Sequence, residues 1–228
     1  MFKVSIHQPE TYPQLGYFNK IYHSDLFVFL DCITYRKNYF QNRNRIRSKV
    51  GDVWLTLPVS GGKLINEKIY ERNAIIKHIK SIRTVYGAGS MQSNLSEIIF
   101  ECDQASKGSL SEFNIGFAKS VGKLLGLKLN FIKSSEFNIG KRKSELLLDI
   151  CKKTSANIYL SGPSGRSYLD HHSFANDNIQ VWVQNFEYPI YKQKSHEFNK
   201  YVSIIDTLCT SGLEKTITWI QTENWERL

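Results

Sequence analysis

The 228-residue chain is short of cysteine, has no long apolar run and, along one stretch, carries no acid. Its four cysteines, Cys32, Cys102, Cys151 and Cys209, are scattered, with no CxxC pair and no histidine at zinc spacing, which argues against a disulfide framework or a zinc ribbon. Cys151 lies inside Leu146-Leu147-Leu148-Asp149-Ile150-Cys151 and reads as a small buried apolar residue. Cys32, next to Asp31, is the one candidate thiol nucleophile. No apolar run approaches the ~18 residues of a membrane span. The opening Met1-Phe2-Lys3-Val4 lacks an h-region and a cleavage site, so it reads as a strand, and the expected compartment is the cytoplasm. No Gly-Lys-Ser/Thr stands at P-loop spacing, and no dinucleotide fingerprint occurs. Repeats, low-complexity tracts and a linker are lacking too. The expected organisation is one α/β domain over 1–228, with a helical subdomain around 90–127.

What is present is ordinary for a globular protein: 41% hydrophobic and 22% charged residues. A chain of this length buries roughly 70–75% of its unfolded surface and needs no staples. The net charge is +9. Between Asp31 and Asp52 there is no acid, while Arg36, Lys37, Arg43, Arg45, Arg47 and Lys49 are all basic. Such a patch attracts nucleotide phosphates, RNA or an anionic membrane face. The interleaved Asn42 and Asn44 add directional hydrogen bonding that charge alone does not need.

Lys3 to Ile6 reads as a short buried strand, Gly16 to Ser24 as a helix and Leu26 to Leu30 as a strand covered on both sides. Together they make a parallel β–α–β unit. Further strands are expected at Val53 to Val59, Leu129 to Ile132, Ile158 to Leu160 and Gln180 to Val183. Helices are expected at Arg72 to Tyr86, Asn94 to Phe100, Leu110 to Leu125 with Gly126 as C-cap, Ser144 to Lys153 with Ser144 as N-cap, Ser203 to Cys209, and Glu214 to Gln221. The fold class is α/β, a Rossmann-like open, mostly parallel sheet flanked by helices.

In such sheets ligands bind beyond the carboxyl ends of the strands. The first run ends on His7-Gln8-Pro9, the second on Asp31, with Gln41-Asn42-Arg43-Asn44-Arg45-Ile46-Arg47 soon after. An imidazole, a carboxylate and an arginine cluster there suit an anionic substrate. His7 is the best general base, with Asp31 to orient it. The run ending at Leu160 opens onto Ser161-Gly162-Pro163-Ser164-Gly165-Arg166, where glycine backbone can approach a phosphate or carboxylate and Arg166 can clamp it. His171-His172 have no recognised metal-ligand spacing, so no metal is expected. Trp182, Phe186, Tyr188 and Tyr191 read as core and rim packing around Pro189.

With these motifs in hand, the chain resembles the WbqC-like family. The resemblance rests on Ile6-His7-Gln8-Pro9, Gly16-Tyr17-Phe18-Asn19-Lys20-Ile21, Ser24-Asp25, Phe27-Val28-Phe29-Leu30-Asp31, Tyr35, Lys37, Gln41 to Ile46, Trp54 to Val59 and Tyr159 to Arg166. Phe186, Pro189, Tyr191, Gln193 and Ser203 to Leu208 complete it. The family occurs in O-antigen and polysaccharide gene clusters, and some members have been proposed to be glycine transferases. The resemblance implies transfer of an acyl or aminoacyl group onto an amino sugar, nucleotide-linked, from ATP-dependent activation or an activated acyl donor or carrier. The substrate-binding candidates are Gln8, Tyr35, Lys37, Asn42, Arg43, Arg45, Ser161, Gly162, Gly165 and Arg166. Family members often carry a second acid after the strand-end aspartate. Here that position is Cys32, which removes the simplest paired-carboxylate mechanism. A weaker similarity runs to nucleotidylyltransferase-like folds, whose second motif histidine is missing here. It keeps open an ATP-dependent amide ligase working through an acyl-adenylate. The basic block leaves a non-catalytic nucleotide- or RNA-binding module as the other reading.

Overall fold

The backbone alternates short apolar strands with amphipathic helices, and tertiary packing turns that alternation into a layered sheet. The computed structural model describes the chain apart from Leu129 and Asn138. In chain order it forms β1 (Lys3–His7), α1 (Leu15–His23), β2 (Leu26–Phe29), β3 (Arg43–Ser48), β4 (Gly51–Thr56), β5 (Val59–Gly61) and β6 (Lys68–Tyr70). There follow α2 (Asn73–Tyr86), α3 (Ser90–Ser106), α4 (Leu110–Leu124), β7 (Phe131–Lys133), α5 (Lys143–Lys153) and β8 (Ile158–Ser161). The chain ends with α6 (His171–Asn176), β9 (Gln180–Gln184), α7 (Ile204–Ser211), α8 (Leu213–Ile220) and β10 (Trp225–Arg227).

Six strands form the main sheet in the order β10-β9-β8-β1-β2-β7. All neighbours are parallel except β10, which runs antiparallel to β9. This is the expected open, mostly parallel α/β sheet. Side chains alternate across it. Phe27 and Phe29 join an apolar layer with α1, α4, α7 and α8. Val4, Ile6 and Val28 join a second layer with α5, Phe174 and Val181. Burial on both faces is why these strands read as continuous apolar runs.

Several expectations change in detail. The Asn94 to Phe100 helix is the middle of the longer α3, which packs on α2 and α4. Ser144 does not cap α5; the N-cap is Arg142, and Ser144 Oγ instead accepts from the Asp170 backbone N–H at 3.0 Å. Gly126 follows α4 with φ +69°, the left-handed conformation expected of a helix stop. The strand expected from Leu129 begins at Phe131; Leu129 itself lies outside the described residues.

The basic block is the largest difference. Arg43–Ser48 is a strand, paired antiparallel with β4 from Arg43↔Thr56 to Ser48↔Gly51. Asn44 and Ile46 are buried along one side. On the other, the Arg43 and Arg45 guanidinium carbons lie 4.4 and 5.0 Å from the Trp54 ring centroid. Among the described residues, no helix is long and apolar enough to cross a membrane.

Candidate functional site

From β1 the chain leaves through α1 to β2 on one side; from β8 it leaves through a 3-10 turn (Pro163–Ser167) and α6 to β9 on the other. The adjacent β1 and β8 therefore diverge at their carboxyl ends, where an open α/β sheet makes a crevice. His7 ends β1 and Ser161 ends β8. The crevice has two lobes that share His7, Tyr39, Gly162 and Ser164. The outer lobe, about 390 Å³, has an apolar floor of Ile6, Leu30, Ile33, Leu146 and Leu147. Tyrosines 39, 159 and 168 wall it, and Arg36 and Lys143 supply positive charge. The inner lobe, about 160 Å³, is lined by Glu10, Gln14, Tyr17, Lys20, Gln184 and Tyr188.

A chain of hydrogen bonds through two side-chain amides links Glu10, Gln8, Gln41 and Arg36. Gln8 Nε2 donates to Glu10 Oε1 at 3.1 Å, Gln41 Nε2 donates to Gln8 Oε1 at 2.9 Å, and the Arg36 backbone N–H donates to Gln41 Oε1 at 2.6 Å. His7 Nδ1 lies 3.2 Å from the Gln8 carbonyl oxygen. A carbonyl only accepts, so Nδ1 carries the proton and Nε2 keeps a lone pair. The ring packs edge-on against Tyr17 at 4.8 Å between centroids. Burial, and then the positive Lys20, hold His7 well below the ordinary imidazole range. It is a neutral imidazole at physiological pH. Burial also pushes Glu10 up to about 7 and Lys20 down to about 7.

Of the residues expected from the sequence, the crevice brings together His7, Gln8 and Gly162. Asp31 is not with His7. It is 2% exposed and accepts from Ser134 Oγ at 3.0 Å, the Ser135 N–H at 2.9 Å and Ser135 Oγ at 2.7 Å, a full set of donors between β2 and β7. Cys32 Sγ lies 3.1 Å from Ser134 Oγ beside that knot. Arg166 is on the surface, paired with Glu226. Arg45 pairs with Asp52 at 2.9 Å and donates to the Tyr201 carbonyl. Arg43 stacks on Trp54 and reaches Asn38. Asn42 is buried and donates to the Leu57 carbonyl. Tyr35 packs under Lys68, and Lys37 is exposed. Ser161 is buried, its Oγ donating to the Gly162 carbonyl at 3.2 Å. Gly165 is a packing glycine: a Cβ there would lie 2.1 Å from Ser161 Oγ. Its N–H already donates to the Gly162 carbonyl, so it has no donor for a ligand.

Glu10, Lys20, Arg36, Tyr39 and Lys143 line the crevice although the sequence did not single them out as site residues. Glu10 sits between two prolines, and Lys20 lies off the Phe18–Ile21 face of α1. Neither position carries a local signal of burial. Among the described residues, no group of three or more His, Cys, Asp or Glu side chains could hold a metal.

The model of the WbqC-like protein family matches residues 8–218. The chain is similar to an uncharacterised protein of Mycobacterium tuberculosis, Rv1507c, at 30% identity over 223 residues, covering 94% of this chain and 96% of that one. No solved structure matches the chain.

Proposed function

The chain belongs to the WbqC-like protein family, and on that premise we propose that its crevice transfers an acyl or aminoacyl group to the amine of an amino sugar, nucleotide-linked, in surface-polysaccharide assembly. The observation that carries this reading is His7. Its imidazole is neutral, its Nδ1 is held by the Gln8 carbonyl, and it stands where the two lobes meet.

In this reading the outer lobe takes the nucleoside end of the sugar substrate. Its apolar floor and tyrosines suit a flat, partly apolar group, and its volume lies within the usual range for small-molecule sites. Arg36 and Lys143 take the role first expected of Arg43, Arg45 and Arg166, which are paired elsewhere. The sugar amine attacks the acyl carbon, a C–N bond forms and the bond to the donor's leaving group breaks. His7 Nε2 accepts the proton lost by the amine and returns it to the leaving group. The low basicity of His7 favours that return.

The test mixes purified protein with a nucleotide-linked amino sugar and either glycine with ATP or a pre-activated glycyl donor. The expected product carries the mass of one added glycyl group. His7→Ala should lower the rate by about 100-fold or more while thermal melting stays cooperative. No product with any donor across several amino sugars would overturn the assignment.

A further inference from the structure

Lys20 is 2% exposed, and its Nζ is enclosed with no hydrogen-bond partner among the described residues. A buried ammonium without a partner is costly, and proteins keep one where something else supplies the counter-group. No ion pair joins Lys20 to Glu10, the acid that shares its lobe, among the described residues. A second observation bears on the same atom. A Cβ built on Gly162 would lie 3.8 Å from Lys20 Nζ, so a bare glycine backbone forms the wall beside the amine. Gly162 has φ −74°, a conformation open to any residue, so backbone strain does not require glycine here. A methyl group there would stand in van der Waals contact with the amine and take up space beside it.

We propose that the inner lobe is an oxyanion subsite, in which Lys20 Nζ, beside the bare backbone of Gly162, binds a carboxylate or phosphoryl oxygen of the ligand. The proposal rests on the reading of the crevice as a ligand site but needs no transfer chemistry. The titratable groups that line this lobe with Lys20 are Glu10, His7, Tyr17, Tyr39 and Tyr188, with the Tyr17 hydroxyl donating to the Gln8 carbonyl and the Tyr188 hydroxyl to Gln14 Oε1. Glu10 Oε1 already accepts from Gln8, so a proton on Glu10 sits on Oε2 and can be donated to the same oxyanion. With Lys20 and Glu10 both titrating near 7, an arriving anion draws protons into the lobe. A surface lysine, already charged, takes up none.

The experiment titrates inorganic phosphate and acetate separately into the full-length protein by calorimetry at pH 8, in two buffers of different ionisation enthalpy. Binding of at least one anion with net proton uptake is expected. Lys20→Met should weaken it by at least about tenfold and reduce the uptake, and Gly162→Ala should weaken it as well. Lys152→Met, at an exposed pair with Asp177, should leave it unchanged. Phosphate alone assigns a phosphoryl group, acetate alone a carboxylate, and both the shared oxyanion. Should Lys20→Met fail to fold, the Lys20 Cε resonance of the wild-type protein gives the same answer: its titration midpoint should rise when the anion is added. No binding of either anion, equal binding by Lys20→Met or an unmoved midpoint overturns the proposal. Anion binding that survives alongside absent glycyl transfer removes the transfer reading alone.

Discussion

Arg166 donates two parallel hydrogen bonds to Glu226, Nη1 to Oε1 at 2.8 Å and Nη2 to Oε2 at 2.7 Å. This fork ties the turn after β8 to β10 and holds the Glu226 carboxyl below its usual range. Arg166 does not line either lobe of the crevice. Arg166→Ala should therefore leave kcat/KM for glycyl transfer within about twofold, and exposed pairs of this kind contribute little to stability. Steady-state kinetics beside a melting curve checks both; a collapse in rate would bring Arg166 back into the site.

Gly165 and Gly162 should separate cleanly on substitution. A Cβ at Gly165 would meet Ser161 Oγ at 2.1 Å and Leu169 Cδ1 at 2.9 Å. Gly165→Ala should cost about 1–3 kcal/mol, because a packed interior resists an added methyl group. Gly162→Ala has room and ordinary backbone angles, so its stability should stay near wild type. Denaturant unfolding of the two variants measures the difference.

Asp206 joins three elements. It is fully buried and accepts from the hydroxyls of Tyr86 and Tyr191 and, at 3.1 Å, from the Arg47 backbone N–H. Asp206→Asn places an amide among donors and should destabilise the protein by about 2–3 kcal/mol. Urea unfolding should show a lower midpoint with little change in slope.

The inner lobe predicts an unusual pH profile for the ligand-free protein. Lys20 titrates near 7 when folded, below the ~10.4 of a free lysine. Between those values the unfolded chain holds a proton that the native state has lost, so this group's contribution rises with pH above about 7 and is least favourable below it. Glu10, raised to about 7, works the other way: its contribution falls as pH climbs from about 4 to 7. The two together give a dip in stability near neutrality. Lys20→Met should stabilise the protein more at pH 6 than at pH 9, by about 2 kcal/mol. Glu10→Gln should remove the decline between pH 5 and 7. Melting midpoints at pH 5, 6, 7 and 9 for the three proteins decide the matter.

Much of the architecture was legible because its signals are local. Leu26–Phe29 is apolar on both faces, and Phe18 and Ile21 share a helical face. Arg43–Ser48 was not legible as a strand, since five of its six residues are polar or charged in a way that resembles a loop. What makes it a strand lies across the hairpin and beyond: Trp54 receives two guanidinium groups, and Arg47 finds Asp52 at 2.6 Å and the Glu197 carbonyl at 2.7 Å. A smaller part of the candidate site was legible in the same way. His7 and Gly162 stand at strand ends, a position that hydropathy marks. Asp31 stands at a strand end too, but its donors come from Ser134 and Ser135, more than a hundred residues away.

The amino-acid sequence by itself determined five of the six strands of the main sheet, all but β10, most of the helices and the family, because apolar periodicity and short motifs act over a few residues. Only the tertiary structure decided which polar groups share the crevice. Its position depends on the opposite directions in which the chain leaves β1 and β8, set by β8 inserting beside β1 some 150 residues later. The burial of Lys20 has the same origin. Helix α1 is enclosed by the sheet and by α8, where Asn19 donates to the Ile220 carbonyl at 2.9 Å, so a residue on its polar side ends inside the protein. Burial of that kind is a property of packing, and no neighbouring residue announces it.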